Sequence, residues 1–78
     1  MPRYFFNVRD GRAILDDVGS DLADDDAARA EAVCTSAQLL LGLEPAALWH
    51  GEDWTLEVTT ADGRTVGTLR FSGTTVRH

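Results

Sequence analysis

The sequence has only one cysteine among its 78 residues, Cys34, so no disulfide bond can form within the chain. It therefore gives no sign of an oxidising compartment, where small domains often rely on disulfides. No apolar run approaches the roughly 20 residues that span a bilayer, and the N-terminal residues lack the apolar segment of a signal peptide. We expect a cytoplasmic protein with no membrane partner.

Lysine is absent as well, and seven arginines stand against thirteen aspartates and glutamates, for a net charge of −6. Binding to a polyanion depends on clustered positive charge, which displaces counterions. Here the arginines are scattered, and the clustered residues are acidic: Asp16, Asp17, Asp21, Asp24, Asp25 and Asp26. This distribution disfavours nucleic acid and an anionic membrane as partners, and we expect neither. The acidic cluster does not match a calcium-binding EF-hand loop, so we predict no calcium site.

Catalytic motifs are also missing. The chain has no glycine-rich phosphate loop, no nucleophile elbow and no paired acid–base constellation. We therefore expect neither catalytic activity nor a cofactor. The length predicts one small domain over residues 1–78, and such a domain buries only about 60% of its unfolded surface, which makes its stability marginal.

Two alternating segments, each running into Asp-Gly and followed by a second alternating segment, predict two β-hairpins. The strands are expected at about residues 3–9, 12–16, 54–60 and 65–71. A two-residue type I′ turn at each Asp-Gly would place Trp54 opposite Phe71 in the second hairpin and Phe6 opposite Leu15 in the first. This register puts the large apolar residues of each hairpin on one face.

A run of strong helix formers between the hairpins predicts a helix at about residues 25–41, with Asp24 as its N-cap. Helical periodicity groups an apolar arc that we expect to pack on the sheet: Ala30, Val33, Cys34, Ala37, Leu40 and Leu41. In that position Cys34 is a buried small hydrophobe. A narrower stripe of Ala28, Ala32 and Leu39 is expected on the far side of the helix.

The predicted fold is α+β, with the order β-β-α-β-β. One helix packs on one face of a four-stranded, antiparallel-rich sheet. A right-handed crossover between the hairpins predicts the spatial order 2-1-3-4, in which the most apolar strand is central.

The opening M-P-R-Y-F-F-x-V-R-D-G, the acidic stretch ending in glycine, the A-A-R-A-E-A helix start and the final E-V-T-x-x-D-G-R-x-V hairpin resemble a family of short bacterial proteins. That family is known as a domain of unknown function. The resemblance runs from Met1 to about Phe71. It implies a small intracellular protein and carries no assigned activity, ligand or catalytic residue.

The aromatic run near the N-terminus raises the possibility of an RNA-binding sheet, but its alternation argues for a core. Tyr4, Phe6 and Val8 share the face that the helix covers. Phe5 points to the opposite face, where we expect Ile14 and Val66 beside it. Three apolar residues on an open face indicate a partner surface.

The segment WHGEDW contains the side chains most capable of binding a metal, namely His50, Glu52 and Asp53. They lack the spacing of a zinc site, so we interpret the segment as a connecting loop and keep the three residues as weak metal candidates.

Two functions therefore remain open. The first is a homo-oligomeric module, most simply a homodimer, that binds itself or another protein. Its interface is either the open-face set Phe5, Ile14 and Val66 or the helix stripe Ala28, Ala32 and Leu39. The alternative is a small ligand- or metal-binding module, or a minor enzyme, that uses the loop from His50 to Asp53.

Overall fold

The computed structural model describes residues 1–51 and 53–76. It contains five strands and two helices. They are β1 (Arg3–Arg9), β2 (Ala13–Ile14), β3 (Ser20–Asp21), α1 (Asp25–Leu41), α2 (Pro45–His50), β4 (Trp54–Thr60) and β5 (Thr65–Phe71). The predicted α+β class and the order of two hairpins around one main helix are confirmed, while the short elements β3 and α2 were not anticipated.

The sheet is antiparallel and has the order β2-β1-β4-β5, which confirms the predicted 2-1-3-4 arrangement. The short strand β3 pairs with the start of β1. Strands β1 and β4 are therefore central, and they contribute the largest buried side chains: Tyr4, Trp54, Leu56 and Val58.

The second hairpin has the predicted pairing of Trp54 with Phe71, but its turn differs from the prediction. The register shifts between Val58 and Thr59, and only the glycine of the turn, Gly63, has a positive φ, at 89°. Its N–H donates to the carbonyl of Thr60 at 2.9 Å. This is a three-residue loop that ends in a left-handed glycine, so the type I′ expectation is wrong.

The first hairpin is shifted by one residue from its predicted register. Val8 pairs with Ile14 and Arg9 with Ala13, because the loop has three residues rather than two. A shift of one residue moves side chains to the opposite face. Leu15 therefore does not lie opposite Phe6 in the core; it is 71% exposed and lies at the face away from the helix.

Helix α1 begins as predicted but is rotated relative to the predicted orientation. The side chain of Asp24 accepts a hydrogen bond from the N–H of Ala27, as an N-cap does. The buried residues of α1 are Ala28, Ala32 and Ser36. The predicted core arc is mostly exposed, including Cys34, and the predicted far-side alanines form the core.

The physical reason is the size of the side chains on the sheet. Tyr4, Trp54 and Leu56 already fill the space between the two layers, so the helix can approach only with a face of small residues. Leucines fit where the layers diverge, and Leu40, Leu43 and Leu48 pack at the edge of this core. Within the part of the chain that is described, neither helix has the length and apolar character needed to cross a membrane.

Ser36 is expected to be a suboptimal core residue. It is 1% exposed, and its hydroxyl has no hydrogen-bond partner among the described residues. An unpaired buried hydroxyl costs about 1–3 kcal/mol, so Ser36→Ala should raise the free energy of unfolding by at least about 1 kcal/mol in a denaturant titration. The reverse change at an exposed alanine of α2, Ala46→Ser, tests helix propensity away from the core and should cost less than about 0.7 kcal/mol. A destabilised Ser36→Ala variant would show that the hydroxyl has a partner.

Candidate interaction surfaces

The three apolar residues predicted to form an open-face patch are not brought together. Phe5 lies on the face away from the helix, and it is half-buried. Ile14 pairs with Val8, which places it on the helix side of the sheet edge. Val66 packs against the core, because the bulge in the second hairpin turns it toward the helix. Phe5, Ile14 and Val66 therefore do not form one patch on the open face.

The ring of Phe5 packs against Gly19, which ends a segment of residues 15–19 that Asp16 anchors. One oxygen of the Asp16 carboxylate accepts hydrogen bonds from the N–H groups of Val18 and Gly19, each at 3.0 Å. The other accepts from the N–H of Phe6 at 3.1 Å. The N–H of Asp16 in turn donates to the side-chain oxygen of Asn7 at 2.9 Å. This network holds the segment on β1.

The pKa of Asp16 reflects this anchoring. Partial burial alone would raise the pKa of the carboxyl group, but three N–H donors, from Gly19, Phe6 and Val18, outweigh it. The result is a pKa of Asp16 below the usual value for aspartate, so the folded state stabilises the charged form of the carboxyl group.

A second cluster links the start of α1 to both hairpins. The buried Tyr4 donates its hydroxyl to Asp25 at 2.7 Å, and Arg64 contacts the two oxygens of the same carboxylate at 3.1 and 3.4 Å. Sequence reasoning missed this cluster. The available signal was that a buried tyrosine hydroxyl needs a partner, and that the helix N-terminus supplies aspartates.

The Tyr4–Asp25–Arg64 cluster predicts how stability changes with pH. The hydrogen bonds from Arg64 and Tyr4 lower the pKa of Asp25, whereas the bond to Asp25 raises the pKa of Tyr4. A lowered folded-state pKa stabilises the fold above the unfolded value, about 3.9, and that contribution is lost as the pH falls through the folded value. We expect the melting temperature to fall as the pH drops from neutral to about 2.

Replacing Asp25 with asparagine should lower the melting temperature at neutral pH and flatten its decline in acid, as followed by circular dichroism. Asp17→Asn is the matched control, because Asp17 is exposed and its side chain makes no hydrogen bond with a described residue. An unchanged acid profile in Asp25→Asn would contradict the assignment of this effect to the cluster.

The predicted helix interface is also corrected. Ala28 and Ala32 are 0% and 2% exposed and form the core, so only Leu39 of that set is available at the surface. The face of α1 that points away from the sheet is an apolar set that we call the outer stripe: Ala30, Val33, Cys34, Ala37 and Leu41. Val33 is 57% exposed and Leu41 is 87% exposed.

The residues proposed for metal binding lie in different parts of the structure. His50 is the exposed last residue of α2, and Asp53 lines a groove on the open face of the sheet. Glu52 lies outside the described residues. Among the residues that are described, no group of three or more histidine, cysteine, aspartate or glutamate side chains is placed to hold a metal ion.

The groove beside Asp53 has a volume of about 700 Å³ and lies on the open face of the sheet. Its floor is Thr55 and Glu57 of the central strand β4. Arg9 and Arg70 stand on the two neighbouring strands, each directly paired with Thr55. Sequence reasoning did not single out these arginines, because it treated them as scattered charges.

Comparison with known proteins adds one relationship. A search of curated proteins and a search of solved structures each returned no match. A family model described as a domain of unknown function, DUF6894, matches residues 3–72. The match spans both hairpins, the anchored segment, α1 and the groove. The chain therefore belongs to the DUF6894 family.

Proposed function

We propose that the protein is a homodimeric interaction module that acts in the cytoplasm without catalysis, and that it associates through the outer stripe of α1. The observation that carries this proposal is the chemistry of the exposed helix surface. A helix that covers one side of a sheet normally presents charged residues to solvent. Here no charged residue occurs between Ala32 and Leu43, although Val33 and Leu41 are more than half exposed.

The partner that fits the outer stripe is a second copy of the chain. The stripe residues Ala30, Cys34, Ala37 and Leu41 recur at intervals of four, three and four, which is the spacing of a seam between two helices. Most such pairs are two-fold symmetric, so one self-complementary patch is sufficient.

The charges favour an antiparallel pair. Asp24, Asp25 and Asp26 lie at the start of α1, and a parallel arrangement would bring the two acidic ends together. In the antiparallel arrangement centred between Cys34 and Ala37, the small Ala30 of one copy faces the large Leu41 of the other. Small residues at such a seam allow helix axes to approach to about 8 Å.

Size-exclusion chromatography with light scattering tests the proposal. We expect a mass near twice the chain mass of 8.5 kDa at micromolar concentration, and a dimer that tightens with salt because the net charge opposes association. Leu41→Glu should give a monomer with an unchanged circular dichroism spectrum. Leu15→Glu makes the same chemical change on the opposite side of the molecule and should remain dimeric.

The single cysteine provides a second readout without any engineering. In the antiparallel arrangement the two copies of Cys34 lie within about 10 Å of each other, so a short bis-maleimide should link them into a covalent dimer. The linked band should disappear in Leu41→Glu. A mass near 8.5 kDa at every salt concentration, or a dimer that Leu41→Glu leaves intact, would overturn the proposal.

A further inference from the structure

The groove on the open face contains two arginines that form no ion pair with a described residue. Arg3, Arg29 and Arg64 each form an ion pair with an aspartate. Arg9 and Arg70 form none with a described residue, although Asp53 and Glu57 line the same groove, and neither does Arg12 in the turn outside it. In a chain with thirteen acidic residues, one concavity therefore contains two guanidinium groups that no described carboxylate pairs with.

The strand pairing sets the positions of these charges. Arg9, Thr55 and Arg70 lie in one row across β1, β4 and β5. Directly opposed residues are about 5 Å apart, so the two arginine backbones stand about 10 Å from each other with the Thr55 side chain between them. Two guanidinium forks at this separation can converge on one carboxylate above Thr55, with the planar geometry that suits it.

The acidic residues lie along the other axis of the groove. Glu57 follows Thr55 by two positions on β4 and so lies on the same face, about 7 Å away. Asp53 lines the groove two positions before Thr55. Positive charge therefore flanks Thr55 across the strands, and negative charge flanks it along the strand. Such a pattern disfavours a phosphate or a polyanion, which the carboxylates would repel.

We infer that this groove binds a small zwitterion of the amino-acid type. Arg9 and Arg70 bind its carboxylate across Thr55, and Glu57 binds its ammonium group. The exposed Leu15 and the neighbouring Ala13 form one wall of the groove and provide apolar contact for a ligand side chain. The groove volume of about 700 Å³ accommodates a molecule of this size. Because the arginines are exposed to water, the binding is weak and its dissociation constant lies in the millimolar range.

Amide chemical shifts in a ¹⁵N-labelled sample test the inference with three matched probes. L-leucine carries both charges, N-acetyl-L-leucine lacks the ammonium group, and L-leucinamide lacks the carboxylate. We expect saturable shifts around Arg9, Thr55 and Arg70 with L-leucine, several-fold weaker binding of N-acetyl-L-leucine, and no saturable binding of L-leucinamide. Shifts that sodium chloride reproduces, or equal responses to all three probes, would overturn the inference.

Substitutions then test which side chain binds each charged group of the ligand. Arg9→Gln and Arg70→Gln should each weaken L-leucine binding about tenfold, because each removes a charge-assisted hydrogen bond. Arg12→Gln removes the same charge from the neighbouring turn, outside the groove, and should leave binding unchanged. Glu57→Gln should weaken the binding of L-leucine but not that of N-acetyl-L-leucine. Equal effects of Arg9→Gln and Arg12→Gln would show a general charge effect and refute the site.

This inference is independent of the proposed dimer, since the outer stripe and the groove lie on opposite sides of the sheet. The same titration with Leu41→Glu should give the same affinity whether or not the protein dimerises. Loss of binding in that variant would contradict the assignment of the site to the open face of a single chain.

Discussion

Replacing Leu56 with alanine is expected to lower the free energy of unfolding by about 2–5 kcal/mol. Leu56 is 0% exposed and lies on the central strand β4, between Val8 of β1 and Leu69 of β5. The substitution removes buried methyl groups and leaves a cavity that rigid neighbours on three strands cannot fill. In a domain of this size such a loss is a large share of the total stability.

A chemical denaturation series measures the effect, and Leu15→Ala is the matched control. Leu15 is 71% exposed, so the same truncation should change the free energy of unfolding by less than about 0.5 kcal/mol. If both variants unfolded at the same denaturant concentration, the assignment of Leu56 to the core would be wrong.

The second large effect is expected at Gly19, where alanine should cost about 2–4 kcal/mol. Two independent penalties act there. Gly19 has a φ of 78°, which disfavours any residue with a Cβ atom. An added Cβ would also lie 2.9 Å from the ring of Phe5 and 3.0 Å from the carbonyl oxygen of Tyr4. The backbone of β1 cannot move away from this contact without losing its pairing with β4.

Gly11→Ala separates the two penalties. Gly11 also has a positive φ, at 98°, but an added Cβ would meet no atom within 4 Å. It should therefore cost only the conformational term, about 1–2 kcal/mol. Equal losses in the two variants would mean that the segment of residues 15–19 does not pack against Phe5 as described.

The anchoring of this segment matters for both surfaces. Gly19 of this segment packs against the half-buried Phe5, and the polar groove beside Arg9 and Arg70 lies on the same face. The outer stripe of α1 remains as the exposed apolar surface on the other side. The two sides of the molecule are thus chemically distinct.

Local patterns in the sequence determined the elements and the second hairpin. The alternation over Trp54–Thr60 and Thr65–Phe71 admits one register in which the large apolar side chains share a face, and the observed pairing of Trp54 with Phe71 follows from it. The N-cap Asp24 is equally local, because a capping side chain interacts with the first turn that follows it. These features depend on neighbours in the chain, so they can be predicted from the sequence without knowledge of the fold.

Only the tertiary structure decided the rotation of α1, the register of the first hairpin and the composition of the groove. Helix α1 is apolar or neutral on two sides, so periodicity alone could not choose between Leu41 and Ala32 as the buried residue; the bulky side chains of the sheet made that choice. In the first hairpin, the hydrogen bonds of Asp16 hold the chain in place after a three-residue loop. Arg9 and Arg70 are 61 positions apart in sequence, and only the pairing of both with Thr55 places them in one site.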